Sequence, residues 1–564
     1  MKKRIVNKIG VPEVRHAGEL LAAYRRGRAE VEKRLQEEEC WFRGRMAPRA
    51  HYNSEGESFA PTSAWLLNSV LQKHADMMDY IPTAVCLARE PGDEADAKAL
   101  SEIIPVILER SGFSESYSRN MWTKLKHGFC IYGVFWNGEL QNGMGDIDVR
   151  RVNPMQLYIE PGVRDIQDSR AVFYTEEAEK SAVLAKFPHC NREQLEEIEG
   201  SDGRVLVVDW YYKKRLPGGK TVLHYCKFSG DAVLFATEND PNFEKGWYEH
   251  GKYPFVVDVM YPMEDSCTGF GLIAMAKNPQ TYIDRMDRNL MEYMDWATRV
   301  RYFCKKNTGV SENDFADVTR RVVEVEGDLG EERLRQITVE PLDSMWIKLK
   351  SAKVDELKET TFNRNVLQGG SEGGITAAAA IAALQEAGSK GVRDIVSSSY
   401  RAFVRLVYLV IECVRQFYDA ERYFRVLGEE GYRYVSFSGA RIREKSLGTS
   451  PAGFPLSRVP VFDIDVKAEK QDSYTRVSSN DNLKELYRLG VFEPEHREAA
   501  ITLLECMDFP GVKKLVARLK NGETVSASSA APATVKPKGK KEYDPIRAAF
   551  SGAERLAESA RDPE

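Results

Sequence analysis

The sequence predicts an α+β chain, mostly helical and built in several parts, and three observations carry that reading. Its 564 residues exceed what one ordinary core organises, so two to four domains or an elongated multi-part subunit are expected. Long stretches repeat apolar residues every three or four positions. Between them lies a block of short β-like runs punctuated by Gly, Pro and Asp.

The elements follow in order. Leu20, Leu21, Tyr24, Val31, Leu35 and Trp41 predict a helix over 17–42 with a dense polar face. A second helix runs through "SAWLLNSVLQKHADMMDY" until Pro82 stops it, and a third covers 94–110. After "SESYSRNMWTKLKHG" comes the strand-like "FCIYGVFWNG", then "DIDVRRVNP", "RAVFYTEE", "VLVVDWYYKK" and "KTVLHYCKF" as short β runs. The stretch from "YPFVVDVMYP" passes through a Gly-rich turn into a long helix with a stripe at Ile283, Met286, Leu290, Tyr293, Ala297 and Val300. Two short strands around a Gly-Asp turn are expected in "RRVVEVEGDLGEERLRQITVE", and helix returns in "SAKVDELKETTFNRNVLQ". A glycine-rich loop then leads to an unusually long helix whose buried face carries Val392, Ile395, Val396, Phe403, Val407, Val410, Val414 and Phe417, opposite Arg401, Arg405, Glu412 and Arg415. Gly388 and Gly391 within it each cost about 1 kcal/mol relative to Ala, which predicts a kink. Strands at "RYVSFSG" and "VPVFDIDVKAE" precede a helical region at 482–520, and 521–564 reads as a polar, disordered tail with a short helix at 546–560.

Composition narrows the function. A net charge of −5 and a pI near 6.1 oppose a protein that grips nucleic acid over a broad basic face. The longest apolar run, 403–411, is interrupted by Arg405 and is far short of a bilayer span. The first residues, "MKKRIVNKIGVPEVRH", lack an apolar stretch with a cleavage site, so a cytoplasmic origin is expected. Nine cysteines without a C-x-x-C pair argue against a zinc ribbon or a disulfide framework.

Candidate chemistry is sparse. Gly369 to Thr376 has the G-x-x-x-x-G-x-[ST] spacing of a phosphate loop, yet Ile375 stands where the Lys is needed, and the preceding segment is helix-like rather than a strand. Four glycines there make a permissive loop, and Thr376 suits the cap of the alanine-rich helix that follows. Asp146 with Asp148, and Asp463 with Asp465, have a D-x-D spacing that can hold a divalent metal, and equally the spacing of a strand's polar face. His189 beside Cys190 completes no ligand pattern, and no G-x-S-x-G elbow appears. Lys536, Lys538, Lys540 and Lys541 read as a solvated linker or a nucleic-acid contact, and Trp210, Tyr211 and Tyr212 as strand packing or a base-stacking platform.

"TGFGLIAMAKNPQTYIDRMDRNLMEYM", with Gly269, Gly271, Pro279 and Gln280, and "GGITAAAAIAALQEAG" after it, resemble in order and spacing the portal proteins of tailed bacteriophages. "HGFCIYGVFWNGEL" and "VRRVNPMQLYIEPGVRD" resemble the wing segments that precede them, and the likeness covers about 66–418. The resemblance implies an elongated portal-type subunit assembling into a ring: a wing at 1–275, a first stem helix at 276–301, a small α/β clip at 302–350 and a second stem helix at 351–367. It continues with a tunnel loop at 368–374, a long kinked helix at 375–420, a β return of the wing at 421–480, a helical crown at 481–520 and the tail at 521–564.

By the same resemblance the chain is not an enzyme, needs no cofactor or metal and forms a homo-oligomer, usually of twelve subunits, at the capsid vertex of the virion after assembly in the host cytoplasm. Double-stranded DNA would pass through it. Its partners would be the terminase large subunit, major capsid and scaffolding proteins, and head-tail adaptor or tail proteins, with no membrane. The tunnel loop would consist of Gln368, Gly369, Gly370, Ser371, Glu372, Gly373 and Gly374, and Glu331, Glu332 and Arg333 would form the clip's docking surface. Two other readings stay open at the level of sequence: a metal-dependent nucleotidyl or phosphoryl transferase using the D-x-D pairs, and a capsid or baseplate scaffold without a channel.

Overall fold

Helix α1 (Val11–Phe42) begins on a one-sided cap, in which the Gly10 N–H donates to Glu13 Oε2 at 2.9 Å and Pro12 occupies the first turn. Of the expected stripe it buries Leu21, Tyr24 and Leu35 and half-buries Leu20, Val31 and Trp41, and because it starts before residue 17 it also buries Val14 beside Ala17. α2 (Trp65–Met78), β1 (Thr83–Ala88), α3 (Glu94–Arg110) and α4 (Phe113–His127) follow. Glycines bracket α4 because both its ends turn left-handed, at φ +68° for Gly112 and +82° for Gly128. The computed structural model describes residues 9–43, 63–188, 203–217, 219–298, 301–304, 334–337, 343–363, 390–428, 431–449, 455–467, 498 and 501. The chain divides into two units, Met1–Gln471 and Asp472–Glu564, and every element named here belongs to the first.

The β-like block resolves into two antiparallel sheets. β2 (Phe129–Asn137) lies between β3 (Asp146–Val152) and, later in the chain, β9 (Phe255–Val259). β4 (Leu157–Ile159), β5 (Ala171–Glu179), β6 (Arg204–Arg215), β7 (Thr221–Ser229) and β8 (Ala232–Ala236) form a five-stranded meander in sequence order, with α5 (Lys180–Lys186) between β5 and β6. Side chains alternate across a strand, so the aromatic run in β6 is divided. Tyr211 meets Phe255 edge-on in the larger core, at 5.4 Å between ring centroids, whereas Trp210 and Tyr212 pack towards the cluster under α1. The run is strand packing.

The short pair β10 (Tyr261–Pro262) and β11 (Gly269–Phe270) leads into α6 (Leu272–Thr298). β12 (Arg301–Cys304) pairs with β13 (Leu334–Ile337), and α7 (Ser344–Thr360) packs against α6. α7 starts seven residues earlier than "SAKVDEL" suggests, because Asp343 caps it by accepting from the Met345 N–H at 3.2 Å. α8 (Lys390–Phe417) buries Val392, Ile395, Val396, Phe403, Val407, Val410 and Val414, as the periodicity predicts. Gly391 sits in its first turn, while Gly388 lies outside the described residues. The hairpin β14 (Arg422–Gly428) and β15 (Gly431–Phe437) follows, then the pair β16 (Lys445–Thr449) and β17 (Pro455–Arg458), and β18 (Phe462–Lys467) returns to pair with β1. The main core lies where α3, α4 and α8 meet β2, β3 and β9. Neither the 482–520 helical region, apart from Glu498 and Ile501, nor the 521–564 tail falls within the described residues.

Candidate functional site

Gly269 and Gly271 mark where the chain crosses the end of α4, and the crossing leaves no room for side chains. A Cβ on Gly271 would stand 2.6 Å from the Gly128 nitrogen and the Lys126 carbonyl oxygen, and 2.7 Å from the Leu125 carbonyl oxygen. One on Gly269 would meet the Tyr261 carbonyl oxygen at 2.3 Å, and one on Gly128 the Phe270 carbonyl carbon at 2.1 Å. These neighbours are backbone, which cannot swing aside. The contact is fixed by the Met260 N–H donating to the Gly128 carbonyl at 2.7 Å and by Arg34 Nη2 donating to the Gly269 carbonyl at 2.8 Å. The two motif glycines thus aim α6, and Gly128, absent from the sequence motif, is their third member.

Pro279 lies buried in α6 and has no N–H to give the Met275 carbonyl. Gln280, next to it, is only 3% exposed and binds across to another element. Its Oε1 accepts from the Leu66 N–H at 3.2 Å, and its Nε2 donates to the Ser63 carbonyl at 2.9 Å and to Asp284 Oδ1 at 2.8 Å. α2 has no cap from its own side chains, so Gln280 supplies one from α6. Asp284 also accepts from the Ser63 N–H and hydroxyl, each at 3.1 Å. Burial raises the Asp284 pKa, and the hydrogen bonds from Ser63 and Gln280 partly counter it. Asp284 is not among the sequence's site candidates, although its place four residues after Gln280 beside buried Ile283 is the signal of a polar pair facing inward.

Beyond Ile283 the expected stripe of α6 is only partly covered within the chain: Met286, Leu290 and Tyr293 are half-buried and Ala297 is exposed, while Val300 lies outside the described residues. Exposed too are Met291 and Met294 near the end of α6, and Met345, Trp346, Ile347 and Leu349 in the first turns of α7, at 42–66%. An ion pair between Asp287 and Lys350 joins the two helices there. Successive helical residues point about 100° apart, so Met345, Trp346 and Ile347 look out in three directions.

The remaining sequence candidates have ordinary settings or fall elsewhere. The Asp146 carboxylate accepts from the Tyr418 hydroxyl at 2.6 Å and from the Ile147 N–H at 2.8 Å, and Asp463 pairs with Arg89 at 2.7 Å. Among the described residues no group of three or more His, Cys, Asp and Glu could hold a metal ion. Burial pushes the Cys86 and Cys226 thiols up to about 12, as expected of packed, unreactive cysteines. Gln368 to Gly374, the docking residues Glu331, Glu332 and Arg333, the pair His189 and Cys190, and the lysines of the tail lie outside the described residues. No described helix is long and apolar enough to cross a membrane.

No curated protein matches the chain. One solved structure similar to it is a virion of a native gene transfer agent particle, with 11% identity, a TM-score of 0.36 and coverage of 82% of this chain and 95% of that one. A family model described as phage P22-like portal protein matches residues 74–549, from before α3 through the turn at Gly269 and Gly271, both helices α6 and α7, and onward past β18. With that match over most of its length, the chain belongs to the P22-like phage portal protein family.

Proposed function

We propose that this portal protein assembles into a closed ring at a capsid vertex, enclosing the channel through which double-stranded DNA enters and leaves. The observation that carries the ring is the apolar surface at the paired ends of α6 and α7. Large apolar side chains clustered on a surface mark a site that another protein covers, and in the first turn of α7 Met345, Trp346 and Ile347 face three ways while exposed. One neighbour cannot cover three directions; a head-to-tail ring places a neighbour on each side of every subunit.

Within that ring, 1–275 would be the wing, 276–301 and 351–367 the stem segments, 302–350 the clip, 375–420 the segment of the long helix, 421–480 the wing's return and 481–520 the crown. Docking of the terminase motor, and later of adaptor or tail proteins, would fall to the clip through Glu331, Glu332 and Arg333. Capsid and scaffolding proteins would meet the rest of the ring at the vertex. A net charge of −5 suits a conduit, since weak, exchanging contacts let a polyanion move. Mass photometry of the purified chain without nucleotide should show one large closed species, and images of it a central hole. Monomers alone, across salt and concentration, overturn the ring.

The tunnel loop would be 368–374, acting on moving DNA without binding nucleotide. Its glycines open backbone conformations closed to other residues. Replacing Gly370 and Gly373 by Pro should therefore impair packaging or DNA retention several-fold while ring formation stays unchanged. Normal packaging by such rings, or micromolar ATP binding by the unaltered protein, would remove the loop from this role.

A further inference from the structure

Lys124 of α4 is fully buried and so is the Asp258 side chain of β9, which it meets at 2.7 Å. The ammonium also donates to the Ser398 and Ser399 hydroxyls of α8, at 2.7 and 2.6 Å, and lies 3.2 Å from the Ile395 carbonyl oxygen. Ser399 in turn donates to the other Asp258 oxygen at 3.0 Å, and Ser398 to the Ile395 carbonyl at 2.8 Å. Three elements remote in sequence therefore close on one buried charge.

We propose that Lys124 is a register pin, a positioning residue that holds α8 at one axial and rotational setting on the sheet of β2, β3 and β9. Apolar packing alone sets register weakly, because it is non-directional. Hydrogen bonds from one ammonium to two adjacent hydroxyls and a carboxylate are directional and are met together or not at all. A one-turn slide would place Ala402 and Phe403, or Asp394 and Ile395, opposite the ammonium, and neither pair offers two hydroxyls. The far end of α8 is held separately, by Phe417 stacked on Trp136 at 4.7 Å and by Tyr418 on Asp146. Lys124 thus governs the end that follows directly on 364–389. Phe362, at φ +55°, bears on that same end: a Cβ on Gly391 would stand 2.7 Å from its ring. This inference rests on the packing of the first unit and is independent of the ring and channel reading.

Replacing the buried pair by apolar residues restores the stability that one missing partner removes, which separates a pin from a mere source of stability. The test is hydrogen exchange of the purified chain, comparing wild type with Lys124→Met/Asp258→Leu. The pin predicts that amides of 390–403 exchange at least about tenfold faster in the double variant, while β6 and β7 keep wild-type protection. A Ser398→Ala/Ser399→Ala variant keeps the ion pair and nearly the same volume and should give the same local acceleration, which decides the matter should the first variant not fold. Wild-type exchange of α8 in the folded variants overturns the pin. So does equal acceleration across all elements, the mark of a general loss of stability.

Discussion

Gly271→Ala is expected to destabilise the first unit by about 2–4 kcal/mol, seen as a fall of several degrees in its unfolding midpoint, whereas Gly18→Ala raises the midpoint slightly. The added methyl at 271 would lie 2.6 Å from two backbone atoms of α4's end and 2.7 Å from a third. Those atoms belong to the last turn of α4 and to Gly128, whose own carbonyl is held by the Met260 N–H. Relief would require moving α6 away from α4, and with it Gln280 from Leu66 and Arg34 from the Gly269 carbonyl. At Gly18, by contrast, nothing lies within 4 Å of the added carbon, so the helix propensity of Ala, worth up to about 1 kcal/mol, acts alone. Thermal or denaturant unfolding of the two variants side by side supplies the comparison. Equal midpoints for Gly271→Ala and wild type would show that α6 is not seated through backbone contact.

How far such a seat can be read from sequence depends on which contacts make it. Periodicity locates α1, α3 and α8 and the buried face of α8, because each buries a continuous stripe and the pattern is local. The family resemblance, rather than the period, singles out Gly269, Gly271, Pro279 and Gln280 as one turn-and-helix unit. What periodicity misses is non-local. β1 is six residues whose partner β18 lies far along the chain. The role of Gln280 depends on α2's lacking a cap, and that of Gly128 on what crosses it, neither of which a linear pattern records. Lys124 illustrates the limit most sharply. In "NMWTKLKHG" it reads as one more surface lysine, yet it is wholly buried because Asp258 and the two serines come to it from 134 to 275 residues away.

Met294→Asp/Ile347→Asp should abolish ring formation and leave a folded monomer. Both side chains are more than half exposed in the single chain, Met294 at 52% and Ile347 at 66%, so charge there costs the unassembled subunit little. Assembly changes their surroundings. Covering a large apolar side chain contributes about 1.5–3 kcal/mol, and that gain is lost at both positions. In its place each interface must bury two carboxylates for which no partner was provided, at a cost of several kcal/mol per ion. A closed ring repeats the penalty at every junction, and because neighbours flank each subunit on both sides, rotation of one subunit cannot avoid it. Mass photometry should accordingly show monomer at concentrations where the proposed wild-type ring forms, with circular dichroism unchanged and the unfolding midpoint lower only by the stabilisation that assembly lends the wild type. A Met294→Leu/Ile347→Leu control keeps the apolar surface and should still close into rings. Should the Asp variant assemble as readily as wild type, the ends of α6 and α7 are not the surface that joins subunits, and the exposed Met345, Trp346 and Ile347 would need a different occupant.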